Sequence, residues 1–218
     1  MLMNECVETD RLILHRHIFD DGMLYSQLNK KQQHSSPQAL ANLLKKNQNV
    51  IMHIFGWWID VSSAYSAGMH ISEDSKAWRH KEQLQYYIYE KETQKCIGIF
   101  CALIKNKEAY VLAWLSKDYQ NKGYGKETAK ALDKELFETL EIDKIKYECF
   151  TKNPNQKKVV SFLNAAQYQE EKSDKTSTLW VKTKEAYFSN FGVQPIFVKA
   201  KKASASIFNC FIKMFVRE

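Results

Sequence analysis

The spacing of hydrophobic residues changes character several times along this chain, and each change predicts an element. In RLILHRHI (residues 11–18), Leu12 and Leu14 alternate with polar or basic positions, the two-residue period of a half-buried strand. Asp20-Asp21-Gly22 then leads into Met23, Leu24 and Leu28, which predicts a short helix with acidic residues at its start. Pro37 opens a second helix, QALANLLKKNQ, whose Leu40, Leu43 and Leu44 share one face. Residues 50–70, VIMHIFGWWIDVSSAYSAGMH, are apolar and aromatic without a period and read as an irregular, partly helical cap. Ser72-Glu73-Asp74-Ser75 reads as the capped, acidic first turn of a helix carrying Ala77 and Trp78.

From Gln83 the texture becomes β-rich. Three runs separated by polar breaks at 91–94 and 105–108 predict an antiparallel meander. A helix over 124–140, a strand over 144–150, a break at 151–156, a helix ending near Ala166 and short strands over 168–171 and 178–182 complete the pattern. A meander followed by β-α-β-α-β spells an α/β layer with a mixed sheet. The tail from Lys199 carries lysines and then Ile207, Phe208, Phe211, Ile212 and Phe215 at helical spacing, an amphipathic stripe.

Composition narrows this picture modestly. A 218-residue chain that is 44% hydrophobic and 26% charged can bury one core, so one domain is expected. The excess of 32 basic over 25 acidic side chains would favour anionic partners, although a solvated lysine coat is the simpler explanation. No base-reading motif accompanies the charge, which disfavours nucleic acid. The five cysteines (Cys6, Cys96, Cys101, Cys149, Cys210) are an odd, scattered set without CxxC spacing, as expected of reduced thiols in a cytoplasmic protein. The six histidines show no metal-ligand spacing, so no metal is expected. Met1 to Asp10 lacks the basic and apolar regions of a secretory leader, and no run approaches the ~18 apolar residues of a membrane span.

The chain uses only seven glycines, yet Gly123 and Gly125 fall one residue apart in WLSKDYQNKGYGKETAKAL (114–132), between a strand-like run and a helix-like one. Free backbone N–H groups at such a junction, together with the helix dipole, make an anion site. Bare glycines permit positive φ and close approach of phosphate oxygens, and Lys122 and Lys126 add charge. A tight turn that binds nothing accounts for two glycines as well. The spacing excludes GxxxxGK[ST], and Thr128 occupies the third position of GxGxxG.

Gln120-x-x-Gly123-x-Gly125 resembles the [Q/R]xxGx[G/A] pyrophosphate loop of the GCN5-related N-acetyltransferases (GNAT). ETDRLILHR (8–16) and AWLSKDYQNKGYGKETAKAL (113–132) resemble the opening strand and loop segment of that family's RimJ/RimL-type branch. Asn155 falls where the branch begins its NxxSxxxxxKxGF helix. The likeness runs in order from Thr9 to Lys182. It implies a GNAT fold, an α/β (α+β) arrangement with a central, mixed, mostly antiparallel sheet of about seven strands flanked by helices. It also implies acetyl-CoA (coenzyme A) as the donor cofactor, with direct transfer of the acetyl group to a primary amine in a ternary complex.

The resemblance carries roles to positions. Trp114, Leu115 and Ser116 are expected to offer backbone groups to the pantetheine arm and the thioester oxygen. Gln120, Asn121, Lys122, Gly123, Tyr124, Gly125 and Lys126 are expected to cradle the pyrophosphate, with Asn155 nearby. The branch's usual base position holds Tyr110, whose phenol, with a pKa ordinarily near 10, is a poor base. Glu108, two residues earlier on the same strand face, is the nearest replacement, ahead of Glu148 and Glu92. On the acid side Lys158 stands where the branch has serine, and Ser161 lies one turn further on. The closing Gly-Phe reads Gln167-Tyr168.

The expected domain spans 1–185, with 20–82 as an extended helical cap on the acceptor side and 186–218 as a C-terminal extension with an amphipathic basic helix. Trp57, Trp58 and Tyr65 could wall a pocket for an amine-bearing acceptor, a peptide N-terminus or a small molecule, with His53 or His70 beside it, or form the cap's own core. The tail stripe fits packing onto the domain or onto a second copy of the chain (a homodimer) better than a membrane surface, because its basic residues cluster at one end. Two departures from the family pattern, Tyr110 and Lys158, leave a second reading open: a GNAT-fold protein that binds coenzyme A or a partner without turnover.

Overall fold

The computed structural model describes residues 4, 6–16, 37–47, 78, 80, 82–153 and 155–189. The helix expected after Gly22, the aromatic cap at 50–70, the acidic helix start at 72–75 and the C-terminal stripe lie outside the described residues.

Strand β1 (Cys6–Glu8) pairs with β2 (Leu12–His15), and helix α1 (Pro37–Lys46) follows. The meander is β3 (Gln83–Glu90), β4 (Cys96–Lys105) and β5 (Glu108–Leu115). Asn106 and Lys107 join β4 to β5 with φ of 52° and 60°, the paired left-handed residues of a twist-matched two-residue hairpin. Then come a single 3₁₀ turn (Lys117–Tyr119), helix α2 (Tyr124–Lys134) with a π-helical continuation (Glu135–Thr139), β6 (Lys144–Phe150), α3 (Gln156–Ala165), β7 (Gln169–Ser173), β8 (Ser177–Thr183) and α4 (Lys184–Ser189).

Among the described residues eight strands make one sheet in the order β1-β2-β3-β4-β5-β6-β8-β7, mixed and mostly antiparallel, with β5 and β6 its one parallel pair. The strand beyond the expected seven is β1. With three residues at the sheet edge, it is too short to show a period in the sequence.

The two faces of the sheet have different jobs. Leu12, Leu14, Leu84, Tyr86, Ile88, Phe100, Ala102, Ala109, Val111, Ile145 and Cys149 point to one face and form the main core with Leu132, Leu136 and Phe137 of α2 and its continuation and Leu163 of α3. Strand alternation sends Tyr87, Tyr89, Ile99 and Cys101 to the opposite face, where they are buried outside that core. Helix α1 packs on β4 and buries Ala41 and Leu44. On the core side a buried pair, Lys182 Nζ to Asp133 Oδ2 at 2.7 Å, with the Tyr168 hydroxyl donating to Asp133 Oδ1 at 3.1 Å, pins α2 to β8.

The departure at Gln167-Tyr168 resolves in the backbone. Gln167 takes φ 64°, the left-handed conformation in which a helix C-terminus favours glycine, and Tyr168 is buried at the aromatic position that follows. The local geometry of the motif is kept although its residues are changed.

Candidate functional site

The site begins where the sheet comes apart. The parallel ladder of β5 and β6 holds four pairs, Glu108↔Lys144 through Val111↔Tyr147, and then ends, although both strands continue. Beyond it β5 stays paired only with β4, and β6 only with β8. The Ser116 amide donates to Ile97 O at 2.8 Å, so alternate residues 116, 114 and 112 spend their backbone groups on β4. By the same alternation the N–H groups of Ala113 and Leu115 face the gap that β6 has left. The Leu115 carbonyl is already taken by Gln120 Nε2 at 2.9 Å. Of the three residues expected to offer backbone groups here, Leu115 alone has its amide toward the gap; Ala113, which the motif comparison missed, shares that role.

Crossing β5 so closely demands Gly98. A Cβ built there would lie 2.2 Å from the Trp114 carbonyl oxygen, a distance no side chain tolerates. Trp114 itself is buried, and its indole N–H has no hydrogen-bond partner among the described residues, an orphaned donor on the face away from the main core.

At the carboxyl end of β5 the turn 120–123 enters α2. Asn121 (φ 63°) and Gly123 (φ 83°) are both left-handed, a conformation Asn tolerates and Gly prefers. Gly123 is the N-cap, without any side-chain cap, and the first helical bond is Glu127 N–H to Gly123 O at 3.1 Å. The amides of Tyr124, Gly125 and Lys126 therefore precede the helix's own ladder and project at its positive end. Gly125 differs from Gly123: its φ is not left-handed, and an added Cβ would meet only Leu115 Cδ1, at 3.7 Å. Nothing among the described residues requires it to be bare. Asn155, the N-cap of α3, lies at the corresponding end of β6, so two helix N-termini flank the parted strands, the position at which open α/β sheets bind ligands.

The turn is braced by the opening strand. Arg11 Nη1 donates to Lys122 O at 3.0 Å, its Nε and Nη2 contact Glu127 Oε2 at 2.8 and 2.6 Å, and its backbone N–H donates to Glu127 Oε1 at 2.9 Å. The Thr9 hydroxyl adds a bond to Glu127 Oε1 at 2.5 Å. Arg11 also lies 4.5 Å over the Tyr124 ring, whose hydroxyl donates to buried Glu90. Burial alone would raise the Glu127 carboxyl, but its bonds to Thr9 and Arg11 outweigh burial and hold it below the usual range. The Thr93 and Tyr124 hydroxyls do the same for Glu90. Arg11 and Glu127 stand inside the two quoted motif segments, yet no residue spacing announces that they meet.

The side chains expected to do chemistry are arranged otherwise. Glu108 Oε2 is 2.6 Å from Lys146 Nζ on β6, and the same ammonium donates to the Tyr110 hydroxyl at 3.2 Å. Burial opposes the Lys146 charge, but its bonds to Glu108 and Tyr110 prevail and hold it above the ordinary lysine value. The structure thus brings Glu108 and Tyr110 together, within the part of β5 still zipped to β6. Lys158 and Ser161 lie exposed on α3. Lys122 and Lys126 are exposed beside the turn, with Lys122 Nζ 5.0 Å over the Tyr119 ring.

Comparison with known proteins agrees with this geometry. Residues 31–163 match the family model described as acetyltransferase (GNAT) domain. Among solved structures the chain resembles the RimL ribosomal L7/L12 α-N-protein acetyltransferase in complex with coenzyme A (TM-score 0.67, 16% identity, covering 84% of this chain and 99% of that one). It also resembles the ribosomal-protein-S5-alanine acetyltransferase from Vibrio fischeri (0.64, 14%, 84% and 98%) and the microcin C7 self-immunity acetyltransferase MccE in complex with acetyl-CoA and AMP (0.62, 16%, 80% and 93%). At such identities these likenesses establish the fold. No curated protein matches the sequence.

Proposed function

The chain belongs to the acetyltransferase (GNAT) domain family, and from that premise we propose that it transfers an acetyl group from acetyl-CoA directly to a primary amine, on a protein or peptide N-terminus or on a small molecule. The parted β5–β6 ladder, opening onto the uncapped N-terminus of α2, is the observation that carries this reading. The residues fit the donor. The diphosphate fits the amides of 124–126 in the turn that Arg11 and Glu127 brace, and the extended pantetheine arm fits the backbone of Ala113 and Leu115. Acetyl-CoA would supply the acetyl thioester, and a gap-facing amide of Ala113 or Leu115 would be placed to stabilise charge on its carbonyl oxygen.

The acceptor's side follows from packing. The face of the sheet covered by α2 and α3 is filled by the main core, so an amine reaches the parting of the strands from the opposite face, on which α1 lies. The RimL and Vibrio fischeri enzymes are named for ribosomal-protein acceptors, which supports a protein or peptide α-amine as the first class to test. The helical cap at 20–82 and the domain at 1–185 belong to this proposal.

The test is a thermal-shift titration with acetyl-CoA and coenzyme A, followed by free-thiol release with a panel of amines. A ligand that binds only the native state at 100 times its Kd adds about 2.7 kcal/mol of stability. No shift with either compound sinks the proposal. Because Lys146 compensates the charge of Glu108, a second reading, coenzyme A binding without turnover, has an observation in its favour. A shift with no thiol release from any amine would select it.

A further inference from the structure

Resting on the acetyl-transfer reading, we propose that Glu148, held in place by Ser177, is the general base that takes the proton from the acceptor amine. Glu108 is bonded to an ammonium and belongs to the zipped part of the ladder. Glu148 is the first residue of β6 past the last β5–β6 pair, Val111↔Tyr147, and so stands at the point of parting. Alternation along β6 puts Ile145 and Cys149 into the main core and turns Lys146 and Glu148 to the other face, the one from which an acceptor can approach.

The carboxylate is positioned by its neighbour on β8. Ser177 pairs with Phe150, diagonally across from Glu148, and its hydroxyl donates to Glu148 Oε1 at 2.5 Å. The bond fixes one oxygen. The other has no hydrogen-bond or ion-pair partner among the described residues. Among the described residues, the titratable and charged groups nearest Glu148 on this face are Lys144 and Lys146 of the same strand, Glu108 and Tyr110 of β5, and Lys172 of β7, with Glu171 reaching Lys144 at 3.9 Å; Lys105 and Cys101 of β4, Tyr87 and Tyr89 of β3 and His15 of β2 lie further across the sheet, and β8 contributes Ser177, Leu179 and Val181. Lys146 is engaged by Glu108 and Tyr110, and Lys144 by Glu171, so among these strands neither cation is paired with Glu148.

The acceptor arrives as an ammonium. One proton passes from nitrogen to the Glu148 carboxylate, directly or through a water, and the freed lone pair forms the C–N bond to the acetyl carbon. The C–S bond breaks with its electron pair on sulfur, the second proton lost by nitrogen ends on that thiolate, and Glu148 releases its proton to solvent. Ser177 is a positioning residue in this scheme.

The deciding variant is Glu148→Gln, which is isosteric and still accepts the Ser177 hydroxyl through its amide oxygen. Thiol release with N-terminal peptides and small amines is followed from pH 6 to 10, and the acetyl-CoA thermal shift is measured on the same samples. The expected result is an unchanged shift and a kcat at pH 7 lower by about 10²–10⁴-fold. The deficit closes as pH rises past the amine's own pKa, near 8 for an α-amine, because the acceptor then needs no base. Glu148→Asp keeps a carboxylate and part of the rate, with the wild-type pH profile. Ser177→Ala loses several-fold in kcat with KM unchanged. Wild-type rate and profile in Glu148→Gln, or a deficit that does not close with pH, overturns this assignment alone. Wild-type protein that shows no acetyl-CoA shift, or no thiol release with any amine, overturns the acetyl-transfer reading and this base with it.

Discussion

The turn at 120–126 and the opposite face of the sheet are built on different physical plans. The turn is a main-chain device: two left-handed residues, an uncapped helix end and exposed amides, steadied from outside by Arg11 and Glu127. The opposite face is a side-chain device, in which Glu108, Tyr110, Lys146, Glu148 and Ser177 come from three strands and meet their partners only because the register brings them together. A main-chain site tolerates wide changes of side chain as long as glycine and its brace remain. A side-chain site changes its chemistry with a single exchange, and here a lysine has joined the expected base.

The harshest way to break this contrast is Gly98→Ala. Its Cβ would meet the Trp114 carbonyl at 2.2 Å, so β4 and β5 must shift, and a loss on the order of 3 kcal/mol or more is expected together with the acetyl-CoA shift. Chemical denaturation reads it, and near-wild-type stability would refute the close packing of these strands. Next come Arg11→Ala and Lys146→Met as a matched pair. Arg11→Ala weakens acetyl-CoA about tenfold, roughly 1.4 kcal/mol, by loosening the turn. Lys146→Met costs about 1–2 kcal/mol of stability by stranding Glu108, while acetyl-CoA affinity holds. Equal effects of the two on affinity would erase the distinction between the regions.

Acid separates them more gently. The Glu127 carboxyl is depressed in the folded protein, so as pH falls the unfolded chain takes up protons first. The contribution of Glu127 is fully present above its ordinary pKa of about 4.3 and is lost as pH drops through the folded value. Melting temperatures of wild type and Glu127→Gln should differ above the ordinary carboxylate range and converge only as pH falls through the lowered folded value; a gap that does not narrow on acidification contradicts the brace. The smallest effect expected is a gain: Gln167→Gly relieves a left-handed non-glycine residue and should add about 1 kcal/mol without touching acetyl-CoA affinity.

Much of the fold was legible because its signals are local. The three meander strands, α2, β6 and α3 follow from apolar periods that span whole elements, and the one strand overlooked, β1, is too short to have a period. The glycine turn was legible for the same reason, since left-handed φ and a bare helix start leave residue types in adjacent positions. Gly125 shows the limit: in sequence it matched Gly123, yet only Gly123 adopts positive φ. The partners of Glu108, Glu127 and Glu148 lie 38, 116 and 29 residues away, and no spacing rule relates residues so far apart.

The sequence by itself determined the order of the elements and the anion-ready turn, since each depends on dihedral preferences and periodicities written within a few neighbouring residues, while the donor entered through the likeness of that turn's motif to a family. Only the tertiary structure decided where β5 and β6 part, which carboxylate is paired with a lysine and which stands at the opening. Those outcomes depend on strand register, and a shift of one residue would carry every one of these side chains to the other face of the sheet.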